Sequence, residues 1–216
     1  MRVALAENAG LMRQSLTRVL DGAGVEVVYA AESGRELLDY LADHAPPAAV
    51  MVDIHMADDG LQTAATIKET YPGVGVLVLS NDLLVPYAER LMRIPQPGVG
   101  YYGKDNVVDV DVLVHALREV ARGQTMIDPS LVAEIFRARA VRTALDKLAE
   151  REQEVLALMA EGLANPGIAA RLHVSPRTVE TYAANIFTKL DIPNTAESNR
   201  RVLAVLAWQR LQTVRH

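Results

Sequence analysis

Four apolar runs in the first half of the chain end on residues that can do chemistry. Residues 3–6 are followed by Glu7 and Asn8, Ala48–Val52 by Asp53, Val74–Leu79 by Ser80, and Val99–Tyr102 by Gly103 and Lys104. Clustered acids favour a hard cation such as Mg²⁺, which takes oxygen ligands and keeps waters. A carboxylate beside it can attack phosphorus and become an acyl phosphate. A lysine and a hydroxyl can then hydrogen-bond the new phosphoryl oxygens. Taken one at a time, the same residues read as ordinary structure: Asp53 and Lys104 as an ion pair, Ser80 as a turn residue.

What turns them into one site is the order of elements. Val25–Tyr29 is a further strand-like run, making five. Helical patterns lie between the runs: Leu11, Leu16, Val19 and Leu20; Glu36–Ala42; Leu61–Thr70; Tyr87–Met92; and Val110–Val120, with Leu113, Leu117 and Val120 on one face. Such alternation predicts an α/β domain with a doubly wound five-stranded parallel sheet, over residues 1–127. Sites in such sheets gather beyond the carboxyl ends of the strands, so these polar residues should meet at one edge.

The second half has a different period. Arg151–Leu190 reads as three helices. The first carries Val155, Leu156, Leu158 and Met159 and ends near Gly162. The second is short, with Ile168, Ala169 and Leu172. The third opens on Ser175-Pro176, a capping oxygen followed by proline at the first helical position. It continues with Val179, Tyr182, Ile186, Phe187 and Leu190. A short helix, a tight turn and a capped second helix mark a helix-turn-helix, although an ordinary helical core has the same periodicity. Residues 128–145 form a linker, read as a solvated helix because of its arginines.

Composition narrows the classes. Hydrophobic residues make up 50% and charged residues 23% of the 216, as in soluble globular proteins. No apolar run is long enough to span a bilayer. The amino-terminus turns acidic after six residues, unlike a signal peptide, so the expected location is the cytoplasm. There is no cysteine, which rules out disulfides, thiolate metal sites and a cysteine nucleophile. The net charge of −5 is unevenly spread: residues 1–127 carry −7 and residues 128–216 carry +2. That asymmetry suits an acidic control domain joined to a mildly basic binding domain.

Residues Asp146–Leu211 resemble the LuxR-type DNA-binding domain. The resemblance rests on R-E-x-E-V-L-x-L-x-A-x-G at Arg151–Gly162, on Asn165, Ile168, Ala169 and Leu172, and on T-V-E-x-x-x-x-N-I-F-x-K-L at Thr178–Leu190. Residues 1–125 resemble the receiver domain of bacterial response regulators, with V-D-I-H-M around Asp53. Together they give the layout of the NarL/FixJ family. M-R-V-x-x-A-E-x and R-R-V-L-A-V-L-A at Arg200–Ala207 are closest to actinobacterial members.

The resemblance implies roles. Asp53 is the phosphoacceptor, Ser80 the switch hydroxyl, Lys104 the invariant lysine and Tyr101 the aromatic that changes rotamer. Glu7, Asn8, Asp53 and the backbone carbonyl of His55 form the Mg²⁺ site. The helix opening at Ser175 enters the major groove of double-stranded DNA, with Glu180, Thr181 and Ala184 facing bases. Arg171, Arg177 and Lys189 face phosphates, and Thr178 and Asn185 also lie on the exposed side. Leu203, Leu206 and Trp208 are candidates for a homodimer contact or for core. A sensor histidine kinase is the implied phosphodonor.

Departures from the family pattern bear on the chemistry. Asn8 stands where a second acid binds the metal, removing a unit charge. Ala57 replaces a proline, and Asp58-Asp59 follow, where they are candidates to restore some charge. R-I-P-Q-P-G at Arg93–Gly98 replaces an alanine/glycine-rich turn. Leu148-Ala149-Glu150 lacks the family's threonine cap, a loss of about 0.5–2 kcal/mol. The expected function is a non-enzymatic, DNA-binding transcription regulator switched by phosphorylation of Asp53. A pseudo-receiver controlled by ligand or dimerisation, and a metal-dependent phosphohydrolase with His55 as acid/base, are the alternatives.

Overall fold

The computed structural model describes residues 1–107, 109–195 and 197–212. The chain divides into two compact units, Met1–Val132 and Ala133–His216.

The first unit is an all-parallel sheet with helices between its strands. The strands are β1 (Arg2–Ala6), β2 (Glu26–Ala31), β3 (Ala49–Asp53), β4 (Gly75–Ser80), β5 (Val99–Gly103) and β6 (Met126–Ile127). The helices are α1 (Gly10–Gly22), α2 (Gly34–Asp43), α3 (Gly60–Thr70), α4 (Val85–Leu91) and α5 (Val110–Ala121), with a 3₁₀ turn at Lys104–Val107. Strand order is β2-β1-β3-β4-β5-β6. The sheet thus has six strands where sequence predicts five. The sixth is two residues long and too short to leave a period.

Every residue of β3, β4 and β5 is buried, which is why they read as unbroken apolar runs rather than alternating ones. Leu16 and Leu20 of α1 and Leu113, Leu117 and Val120 of α5 form one core with Val3, Leu5, Met51 and Leu77. Register brings the chemistry together. Asp53 pairs with Leu79, and Ser80 pairs with Gly103, the residue before Lys104.

The β3–α3 connection is short enough to press Gly60 against the strand end. A Cβ at Gly60 would lie 2.0 Å from the Asp53 carbonyl oxygen. Backbone cannot yield as a flexible side chain does, so Gly60→Ala should cost at least the upper end of the usual overpacking range, about 3 kcal/mol. A urea unfolding curve of the variant against wild type reads this directly.

The second unit is helical: the end of α6 (Pro129–Leu145), then α7 (Glu150–Ala160), α8 (Asn165–Leu172), α9 (Pro176–Lys189) and α10 (Arg200–Gln212). Val155, Leu156, Met159, Ile168, Val179, Ile186 and Ala204 form its core. Ala169 is buried, and its small side chain lets α8 approach α9. The Ser175 hydroxyl accepts the Thr178 amide at 3.1 Å, and Pro176 begins α9, as the sequence predicts.

The missing cap of α7 is partly made good. Ala149 offers no side-chain oxygen, but Glu152 reaches back to accept the Ala149 amide at 2.8 Å. Only that half of a reciprocal capping arrangement survives. The arginine pair at the start of α10 is structural: Arg201 donates to Asn165 Oδ1 and to the Leu163 carbonyl, and Arg200 stacks on the Phe187 ring.

Candidate functional site

At the carboxyl edge of the sheet, Lys104 Nζ lies 2.7 Å from Glu7 Oε2 and 3.1 Å from Asp53 Oδ1. Glu7 and Asp53 are buried. One ammonium therefore balances two buried carboxylates, and further bonds hold them in place. Glu7 Oε1 accepts the Ala9 amide at 3.0 Å, and Asp53 Oδ1 accepts the His55 amide at 3.2 Å. Arg13, which sequence reading passes over, clasps the Glu7 carbonyl at 2.7 Å and the Glu32 carboxylate at 2.6 Å.

Ser80 and Tyr101 converge on one acceptor. The Asp82 carbonyl receives Ser80 Oγ–H at 2.7 Å and Tyr101 O–H at 3.0 Å. The Tyr101 phenol also accepts the Leu84 amide at 3.1 Å, at the start of α4. Burial pushes its pKa up, so it stays a donor. His55 Nε2 stands 3.3 Å from Ser80 Oγ. With the serine hydrogen committed to Asp82, the Nε2–H tautomer of His55 completes that contact. The Asp82 carbonyl carries no sequence signature, so only the fold reveals this junction.

The expected cation ligands do not fit a Mg²⁺ ion well. Asn8 Nδ2 donates to the His55 carbonyl at 3.3 Å, so an N–H is bonded to one of the oxygens the resemblance assigns to the metal. Among the described residues, no group of three or more His, Cys, Asp or Glu is placed to hold a metal. Asp58 and Asp59 do not restore the charge. Asp58 Oδ2 accepts the Arg35 amide in the first turn of α2, at 2.7 Å. Asp59 caps α3 through the Leu61 and Gln62 amides and pairs with Arg90 at 3.1 Å. The short connection delivers both carboxylates to helix amino-termini, where they meet unpaired N–H groups.

In the second unit, Arg171, Arg177, Glu180, Thr181, Ala184 and Asn185 are exposed. Glu180, Thr181 and Ala184 share one face of α9. Thr178 is half-buried, its hydroxyl 2.8 Å from that of Ser175. Lys189 is engaged elsewhere: its ammonium lies 2.6 Å from Glu152 Oε2. On α10, Leu203 and Leu206 are exposed, while Trp208 packs on the core.

Glu152 carries an acid-labile contribution. Burial works to raise its pKa, but the Lys189 ammonium and the Ala149 amide outweigh this and hold it below 4.5. A folded-state pKa below the unfolded one means stabilisation that is complete above the unfolded value and lost as pH falls through the folded one. The urea midpoint of the second unit should therefore drop on acidification from about pH 6 to about pH 3 more steeply in wild type than in Glu152→Gln. Parallel profiles would mean the pair contributes nothing net.

The molecule thus joins a parallel α/β sheet, with an acid–lysine–hydroxyl pocket at its carboxyl edge, to a helix-turn-helix: a switch domain attached to a DNA-binding module. Residues 3–98 match the response regulator receiver domain, and residues 146–202 match the bacterial regulatory proteins of the luxR family. The oxygen regulatory protein NreC of Staphylococcus haemolyticus is 30% identical over 209 residues, covering 91% of this chain and 94% of NreC. The response regulator GacA of Pseudomonas aeruginosa is 30% identical over 213 residues, covering 96% and 95%. A structure of RcsB from Salmonella typhimurium shares the fold with a TM-score of 0.66 at 21% identity, covering 97% of this chain and 98% of that one. The chain belongs to the NarL/FixJ-type two-component response regulators, transcription regulators that couple a receiver domain to a LuxR-type DNA-binding domain.

Proposed function

We propose that Asp53 accepts a phosphoryl group and that this controls promoter binding through α9. The observation that carries the reading is Lys104 Nζ at 3.1 Å from Asp53 Oδ1, with Ser80 at the end of the neighbouring strand. A carboxylate oxygen of Asp53 attacks the phosphorus of a phosphohistidine on a sensor kinase. The O–P bond forms as the P–N bond breaks, and imidazole leaves. Lys104 then turns from the carboxylates to a phosphoryl oxygen, and Ser80 turns its hydroxyl from the Asp82 carbonyl to another. That removes one of the two hydroxyl bonds to the Asp82 carbonyl and so loosens the connection into α4. Glu7, Asp53 and the His55 carbonyl would hold Mg²⁺ only weakly with Asn8 in place of an acid, and the ion would supply charge neutralisation on the phosphoryl oxygens.

In this reading residues 1–127 are the receiver, 128–145 the linker and 146–211 the DNA-binding domain. Glu180, Thr181 and Ala184 meet base edges, and Arg171 and Arg177 meet phosphates. Leu203 and Leu206, exposed on α10, make the homodimer contact. The protein acts in the cytoplasm, on promoter DNA. No helix among the described residues is long and apolar enough to cross a membrane.

The test is mass spectrometry with acetyl phosphate, with and without Mg²⁺. One phosphoryl adduct on wild type, absent in Asp53→Ala, is the expected result. The Asn8–His55 bond favours a second reading, a pseudo-receiver set by ligand or dimerisation. No adduct on wild type, and unchanged promoter binding by Asp53→Ala, would establish that reading instead. Steady turnover of a simple phosphate ester would point to a phosphohydrolase.

A further inference from the structure

One buried carboxylate has no part in the phosphoryl pocket yet is bonded to its edge. Asp128 is 1% exposed. Its Oδ2 accepts the Gly103 amide at 3.1 Å, and Gly103 is the last residue of β5, immediately before Lys104. Its Oδ1 accepts the Ser130 amide at 3.0 Å and the Ser130 hydroxyl at 2.7 Å, in the first turn of α6. Its own amide donates to the Tyr101 carbonyl at 2.9 Å. A buried carboxylate is costly unless its oxygens are bonded, and here the two oxygens are bonded to two different elements.

Helix capping alone does not explain this. A cap needs one oxygen, which a serine supplies as well as an aspartate. The second oxygen ties the strand end that carries Lys104 to the base of a helix. Leu131, 1% exposed, anchors the same turn. That helix begins in the first unit and ends in the second, where Leu145 belongs to the core. A hydrogen bond to a charged group is among the stronger ones a protein makes, so the base of α6 follows Gly103 rather than letting go.

We propose that Asp128 is a positioning residue that couples Lys104 to α6, so that a change in what Lys104 binds is passed to the DNA-binding unit. This rests on Lys104 being the cation of the pocket, and not on phosphorylation of Asp53.

The experiment is a double-mutant cycle on DNA affinity, using the tightest duplex that wild type selects from a random pool. Lys104→Met removes the cation. Asp128→Ser keeps the cap of α6 and removes the bond to Gly103. Lys104→Met should shift Kd at least fivefold in the wild-type background and less than twofold in the Asp128→Ser background. Equal shifts in both backgrounds, or none in wild type, would overturn the proposal. Amide hydrogen exchange gives a readout that leaves Asp128 intact. Between wild type and Lys104→Met, protection of the Gly103 amide and of the first turn of α6 should change together; a change at Gly103 alone overturns the coupling. Mass spectrometry of wild type with acetyl phosphate separates the two readings. An adduct missing from wild type sinks the phosphoacceptor role of Asp53, while the cycle alone decides the role of Asp128.

Discussion

Asn8→Asp should raise the affinity of the pocket for Mg²⁺ by at least tenfold and make the fold depend on the ion. Two unit charges about 4 Å apart interact by about 1 kcal/mol in water and about 4 kcal/mol at the effective dielectric of a protein surface. A divalent cation doubles the attraction, so tenfold is the low end. The substitution also exchanges a donor for an acceptor. The Asn8 N–H now bonded to the His55 carbonyl disappears, and that oxygen becomes free to face a cation. Without the ion, three carboxylates would share one Lys104, so the variant should unfold at a lower temperature than wild type. Saturating Mg²⁺ should restore it, since a ligand at a hundred times its Kd stabilises by about 2.7 kcal/mol. The wild-type midpoint should hardly move with Mg²⁺. If wild type gains as much as the variant, Asn8 turns its carbonyl oxygen to the ion and the missing acid is of no consequence.

This pocket was legible in sequence because strand ends are legible. An apolar run followed by one polar residue gives both the element and the position of its edge. That reasoning brings Glu7, Asp53, Ser80 and Lys104 together without a motif. What it misses are bonds to backbone and bonds across long separations. The Asp82 carbonyl that joins Ser80 to Tyr101 belongs to a group every residue has. Asp58 and Asp59 look like loose charge beside the metal site, and only loop length reveals that they sit at helix starts. Residues 128–145 read as a solvated helical linker, and nothing local shows that Asp128 is buried with the Gly103 amide on one of its oxygens. Lys189 reads as a phosphate contact on an exposed helix face, because nothing local signals that Glu152, 37 residues earlier, is within 2.6 Å.

Lys189 makes the DNA interface testable in an unusual way. Glu180→Ala should cost about 1–3 kcal/mol on the preferred duplex and relax selection at one base pair, as expected when a base-edge acceptor is lost. Arg171→Ala and Arg177→Ala should instead weaken all duplexes alike, each lowering the slope of log K against log salt by about 1. With the second half of the chain carrying only +2, each such contact is a large share of the phosphate affinity. Lys189→Ala should differ from both. Its charge is already balanced by Glu152, so the salt slope should stay within error while the unfolding midpoint falls. Removing the ammonium leaves a buried carboxylate held only by neutral donors, the Ala149 amide and the Asn185 side chain among the described residues, a more costly state than losing an exposed pair. A slope reduced by about 1, with the midpoint unchanged, would mean that the pair opens when DNA arrives and that Lys189 crosses from the Glu152 carboxylate to a phosphate.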